Sequence, residues 1–233
     1  IGGLDSAHKL TILTTLCFGS VINFSNNEVK GISEIKIEDI INANIHGYSI
    51  KLISEAFVKN NHISCNTSPK LINKNNPLAN VDGVLNAIKL ETDQLTSLFL
   101  EGEGAGGKAT ASSVISDLHE IHSNSNFLSL GYKVENLKDF PKFNSLDLES
   151  PYYLRIVTKD IPGVLSKITG YFETQDISIE KIIQLPDNKK NLPIPIIIFT
   201  HAVKMNKFIK VIKLIENQDF VLEKISFIPI DNG

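Results

Sequence analysis

At 233 residues, with 42% hydrophobic and 21% charged residues, the chain has room for one large or two ordinary globular domains. A net charge of −3 gives no electrostatic footprint for nucleic acid or for an anionic membrane. Cys17 and Cys65 are too few for a disulfide framework, no apolar run approaches the ~18 residues of a membrane span, and no secretory leader is visible, so the expectation is a cytoplasmic protein with neither partner.

Leu4, Ala7, Leu10, Leu13 or Thr14, and Cys17 recur at helical spacing, which predicts a first helix to Phe18 with one stripe, Cys17 included, facing a core. After the polar break Ser25–Glu28, the segment Ile35–Ala43 reads as a short helix with Glu38 and Asp39 near its start and Gly47 placed to end it. Ser49–Val58 and His62–Leu71, rich in Ile, Leu, Val and Phe and separated by Lys59-Asn60-Asn61, predict an antiparallel hairpin. Val84–Glu91 and Ser97–Glu101 read as two further strands turning at Thr92-Asp93-Gln94, and the glycine-rich bend at 102–107 leads into a helix ending at His122. Hairpin-dominated strands with few helices predict an α+β unit over 1–122: a mostly antiparallel sheet with helices on one face.

Residues 123–150 lose any sustained period and read as a surface linker with apolar anchors at Phe127, Leu128 and Leu130. From Pro151 a second unit starts, spanning 151–233. Its pattern is strand Tyr152–Thr158, helix Pro162–Glu173, strand Ile177–Leu185, turn Pro186-Asp187-Asn188, strand Leu192–Val203, helix Lys204–Asn217 and strand Phe220–Ile228. That order, βαββαβ, is the ferredoxin-like arrangement.

Two features carry chemistry. Asp5 and Lys9 lie four apart, hence on one helix face: either a surface ion pair or a catalytic pair in which Lys9 donates a proton and Asp5 orients it and holds substrate. Gly102, Gly104 and Gly107 satisfy G-x-G-x-x-G, either a dinucleotide fingerprint or glycines that let the backbone turn or approach another group closely. The fingerprint also needs a following strand with an acidic ribose ligand, and only polar linker follows His122. Lys51 reads as a packing residue or as a support behind the site, packing being the favoured reading. His8, His119, His122 and His201 show no metal-ligand spacing, and no metal site is assigned.

Gly3-Leu4-Asp5-Ser6-Ala7-His8-Lys9-Leu10 resembles the G-x-D-x-A-x-K-L segment of homoserine dehydrogenases. Val29-Lys30-Gly31-Ile32 with Ile40–Leu52, Asn76–Ala87, and Gly102–Val114 resemble three further family motifs in the same order, with Ala109 in place of the usual Pro and Gly2 where a polar or acidic residue is common. The resemblance implies reduction of L-aspartate 4-semialdehyde to L-homoserine with NADP or NAD, on the route to threonine and methionine. It implies that Asp5 and Lys9 bind substrate, Lys9 being the catalytic acid, and that Gly106 touches the cofactor through its backbone. It also implies that an N-terminal nucleotide-binding domain lies outside this chain, that 107–122 returns to it with Val114, Leu118 and Ile121 facing it, and that the chain alone lacks activity. Ile1 stands in mid-motif, as expected of the C-terminal part of a longer protein.

Val157–Leu165, with Ile177-Ser178-Ile179, resembles the first strand, loop and helix of ACT domains, regulatory modules that commonly bind amino acids between two copies. The resemblance implies an effector site at Asp160, Gly163, Val164 and Leu165, threonine as effector, and a homo-oligomer. The alternative is a non-catalytic amino-acid-binding or dimerisation module, which has no need of the Asp5–Lys9 pair.

Overall fold

The computed structural model describes residues 1–123, 128, 130–184 and 193–231. Helix α1 (Leu4–Phe18) lies on a long hairpin of β2 (Tyr48–Lys59) and β3 (His62–Asn73), burying Ala7, Leu10 and Thr14. Asn60 and Asn61 both adopt positive φ (50° and 60°), the backbone that closes a two-residue hairpin with the strands' own twist. The short β1 (Glu28–Val29) runs parallel to β3, giving the order β1-β3-β2. Cys17 corrects the sequence reading. It is exposed, because the last turn of α1 directs Phe18 instead toward the cluster of Leu10, Ile63 and Cys65. The buried thiol is that of Cys65, 3.8 Å from Thr14 Oγ1, and burial pushes its pKa up.

Helix α2 (Ile37–Ile45) inverts the usual amphipathic rule. It buries Asp39, Asn42 and Ala43 and leaves Ile37, Ile40, Ile41 and Ile45 exposed. Strands β4 (Leu85–Leu90) and β5 (Leu98–Glu103) pair only with each other, so the first unit holds two separate small sheets rather than one continuous sheet. Helix α3 (Gly107–His122) has no buried residue, and Val114, Ile115, Leu118 and Ile121 are 53–76% exposed.

The linker is more ordered than its composition suggests. Lys138 N–H donates to Gly19 O, Ile63 N–H to Pro141 O, and Phe143 meets Phe57 edge-on. Of the expected anchors, Leu128 is exposed and Leu130 half-buried, and Phe127 lies outside the described residues. Phe140 and Phe143 hold the linker instead, because backbone pairing along α1 and β3 fixes which aromatics face inward.

The second unit joins β7 (Tyr152–Thr158), α4 (Val164–Thr174), β8 (Ile179–Gln184), β9 (Ile194–Thr200), α5 (Met205–Glu216) and β11 (Ser226–Pro229). The sheet order β11-β7-β9-β8 is that of the βαββαβ fold. A small ribbon of β6 (Glu149–Ser150) and β10 (Val203–Lys204) clips the linker to the start of α5. Helix α4 starts two residues later than expected because Gly163, at φ 90°, caps it rather than joining it. The last strand starts at Ser226, not Phe220, because 220–222 meet β7 only through isolated contacts. The expected turn at Pro186-Asp187-Asn188 lies outside the described residues.

The sheet's two faces have different partners. Leu154, Ile156, Ile196 and Ile198 pack under α4 and α5. Tyr153, Ile197, Phe199 and Ile228 pack with Ala43 and Leu71 of the first unit, so the two units share a core.

Candidate active site

The site begins with how α1 is launched. Gly3 has φ 84°, and a Cβ there would sit 3.2 Å from Val29 Cγ1 and 3.4 Å from Thr67 Cγ2. Only glycine turns the chain into the helix here while β1 and β3 lie this close. Gly3→Ala is expected to cost about 1–2 kcal/mol of stability from the left-handed backbone alone, readable as a lower denaturation midpoint.

From that start, Ala7, Leu10 and Thr14 fix one stripe of α1 on the hairpin, while Asp5, Lys9, Ile12 and Leu16 form the opposite stripe, open to solvent. Lys9 Nζ lies 2.8 Å from Asp5 Oδ2, with the side chains 57% and 82% exposed. The hydrogen bond from Lys9, and then its charge, hold the Asp5 carboxyl below its ordinary value. Because that value is depressed, the pair is intact at neutral pH and is lost only as pH falls through it. His8 stacks on Phe24 with ring centroids 4.1 Å apart, which accounts for it as a packing residue.

Lys51 has a tethering role. It donates to Val81 O at 2.8 Å and Asp82 Oδ1 at 2.6 Å, tying β2 to the loop that follows Pro77–Asn80. The glycine-rich bend is open. Gly106 adopts φ 132° and ψ 148°, and a Cβ there would meet only Glu103 Oε2 at 3.8 Å. No side chain caps α3, so its first-turn N–H groups face outward without a capping acceptor. No strand follows α3 before Glu149 among the described residues, which leaves the G-x-G-x-x-G match without the second strand a dinucleotide fingerprint requires.

The four expected effector residues share the loop into α4. Gly163 caps the helix, a Cβ placed on it would meet nothing within 4 Å, and Asp160 and Leu165 are exposed. Val164 turns its side chain into the core, leaving only its backbone to the loop. Among the described residues, no hydrogen bond or ion pair joins Asp5 or Lys9 to the glycine bend or to this loop.

Sequence reasoning missed the strongest polar constellation, which locks the two units together. Asp39, fully buried, accepts from Arg155 Nε at 2.8 Å, Arg155 Nη2 at 3.2 Å, Tyr153 Oη at 3.0 Å and Ser226 Oγ at 3.3 Å. Lys36 N–H also donates to Asp39, and Lys36 Nζ reaches Glu223 at 2.6 Å. Burial pushes the Tyr153 phenol far up, with Asp39 adding to the shift. A charge inside an otherwise apolar strand, Arg155 in Tyr152–Thr158, was the available signal. Among the described residues, no cluster of His, Cys, Asp and Glu is able to hold a metal ion and no helix is long and apolar enough to cross a membrane.

Comparison with known proteins agrees with the motifs. The family model for homoserine dehydrogenase matches residues 1–119, and that for the ACT domain matches residues 152–217. Homoserine dehydrogenases of Helicobacter pylori and Pseudomonas aeruginosa are each 34% identical, over 100% and 87% of this chain and 54% and 48% of their own. The crystal structure of a homoserine dehydrogenase from Thiobacillus denitrificans superposes with a TM-score of 0.87 at 33% identity, covering 99% of this chain and 53% of that one. The chain spans about half the length of the curated relatives it matches. With a family model over half its length, four motifs in order and the ACT unit in place, the chain belongs to the homoserine dehydrogenase family of amino-acid biosynthetic oxidoreductases.

Proposed function

We propose that this chain supplies the substrate-binding and proton-donating side chains of an enzyme that reduces L-aspartate 4-semialdehyde to L-homoserine. The observation that carries the reading is the Asp5–Lys9 pair, held on the open stripe of α1 and belonging to the motif shared with the family.

A nicotinamide dinucleotide, NADP or NAD, supplies the hydride when bound. The open bend fits such a group. Gly106 presents backbone with no Cβ in the way, and the uncapped start of α3 favours negative charge. As the aldehyde is reduced, negative charge develops on its oxygen, and Lys9 Nζ donates the proton there. Asp5 accepts the Lys9 hydrogen bond, keeping the ammonium in place, and its other oxygen takes the ammonium group of the substrate. Both roles need Asp5 ionised, the form Lys9 favours.

Residues 1–122 form the substrate unit, 123–150 the linker and 151–233 the regulatory unit of a cytoplasmic homo-oligomer. The uncovered apolar face of α3 supports docking on a nucleotide-binding portion outside this chain, which spans about half the length of its relatives. The intact enzyme containing this chain is expected to oxidise NADPH or NADH when L-aspartate 4-semialdehyde is supplied, followed by the loss of the reduced cofactor's absorbance; no oxidation with either cofactor would contradict the reading.

Regulation follows from the loop into α4. The helix start favours a carboxylate by roughly 0.3–1 kcal/mol, and Gly163 admits it without a clash. Threonine is the expected effector. Calorimetry belongs on the whole chain, since residues 151–233 alone would bare Tyr153, Ile197 and Phe199. A saturable threonine signal weakened by Gly163→Val is the expected result, and an unchanged signal in that variant would move the site elsewhere.

A further inference from the structure

Between the hairpin and the regulatory unit lies a cleft of about 400 Å³ that the catalytic reading does not use. Its walls come from both units: Lys30, β2 and β3 of the first, the linker at 145–150, and Tyr152, Met205 and β11 with the two residues after it. Its size falls in the range of small-molecule sites, and it sits where two units meet, a frequent location for them.

The chemistry of the walls is specific. Lys70, only 9% exposed, projects into the cleft from β3 and is held by Glu55 Oε2 at 2.6 Å. Lys30, whose ammonium also lies 3.8 Å from Glu34, adds a second positive charge to the lining, 4.9 Å from the Phe227 ring centroid. Asp231 and Glu149, from the far end of the chain and the linker, bring carboxylates that form no ion pair among the described residues. Ser68 also lines the cleft. Its hydroxyl is buried, the residue is 8% exposed, and the Oγ has no hydrogen-bond partner. A buried hydroxyl left unpartnered is costly, so a group that hydrogen-bonds to it is favoured.

We infer that this junction cleft binds a free amino acid as its zwitterion. The carboxylate is taken by Lys30, Lys70 and the Ser68 hydroxyl, and the ammonium group by Asp231 and Glu149. A ligand of one charge would leave one wall unmatched. Three carboxylates against two ammonium groups also disfavour a phosphate or nucleotide. The apolar surfaces of Phe57, Leu148 and Met205 receive the ligand's side chain. Because the walls belong to both units, occupancy ties the regulatory unit to the hairpin that carries α1, and ligand binding raises the unfolding temperature of the chain. The site is distinct from the loop at Gly163, and it does not depend on the role of Lys9.

The test is calorimetry on the whole chain, with the twenty standard L-amino acids and L-homoserine titrated one at a time at millimolar concentration. At least one is expected to give a saturable signal that survives Gly163→Val and weakens at least about tenfold, 1.4 kcal/mol, in Ser68→Leu, which fills the cleft. The paired change Glu55→Gln with Lys70→Met removes both charges without stranding one, and is expected to weaken binding similarly while the chain remains folded by circular dichroism. Absence of any signal beyond one that Gly163→Val removes, or signals that are all indifferent to both the Ser68 and the paired variants, would overturn the proposal.

Discussion

Replacing Lys9 by alanine in the intact enzyme is expected to lower kcat by about 10²–10⁴, the range for losing a general acid. The side chain is 57% exposed and its polar partner is Asp5, itself 82% exposed, so its removal uncovers no buried partner among the described residues. The loss should therefore appear in turnover and not in stability: the denaturation midpoint should stay with wild type while kcat falls. Asp5→Asn keeps a hydrogen-bond acceptor beside Lys9 but removes the charge that holds the substrate's ammonium group, and it should act chiefly through KM. Near wild-type turnover in Lys9→Ala would remove Lys9 from the chemistry and return the pair to a surface salt bridge, worth at most about 1 kcal/mol.

The second large effect is on stability. Asp39→Ala leaves the Arg155 guanidinium, 4% exposed, with Glu223 at 3.9 Å as its remaining carboxylate among the described residues, and takes away the acceptor used by Tyr153 Oη and Ser226 Oγ. Breaking a buried pair from one side typically costs about 3–5 kcal/mol, and chemical denaturation should report a loss of that size. Replacing both partners, Asp39→Leu with Arg155→Met, should cost clearly less than the single change, because no charge is left unpaired. A loss below about 1 kcal/mol for Asp39→Ala would mean that water reaches Arg155 and that the lock contributes little.

The parts legible from the sequence are those whose physics is local. The helical period through Leu4, Ala7, Leu10, Thr14 and Cys17 and the Lys59-Asn60-Asn61 turn gave α1 and the hairpin, although Leu4, at the first turn, is exposed, and the strand and helix order gave the βαββαβ unit. What escaped depends on partners far along the chain. Helix α2 was legible as a helix, but not its buried side, which is Asp39, Asn42 and Ala43 because the partner is Arg155, some 116 positions away. Cys17 obeys the helical period but sits in a turn where Phe18 takes the inward place. The linker carries no period at all, and its order comes from backbone bonds to Gly19 and Ile63 that no side-chain pattern records. At the candidate site, the pairing of Asp5 with Lys9 followed from spacing, whereas their catalytic role came from the family motif. The junction cleft was invisible because Lys70, Leu148 and Asp231 converge only after both units have folded.

The most direct test of Lys9 as the proton donor is chemical rescue. Lys9→Ala in the intact enzyme is assayed for reduction of L-aspartate 4-semialdehyde with increasing concentrations of a small primary amine across a range of pH. If the lysine ammonium supplies the proton, turnover should rise with amine concentration and follow the fraction of amine that is protonated. A rate that is low but indifferent to the amine at every pH would contradict that role.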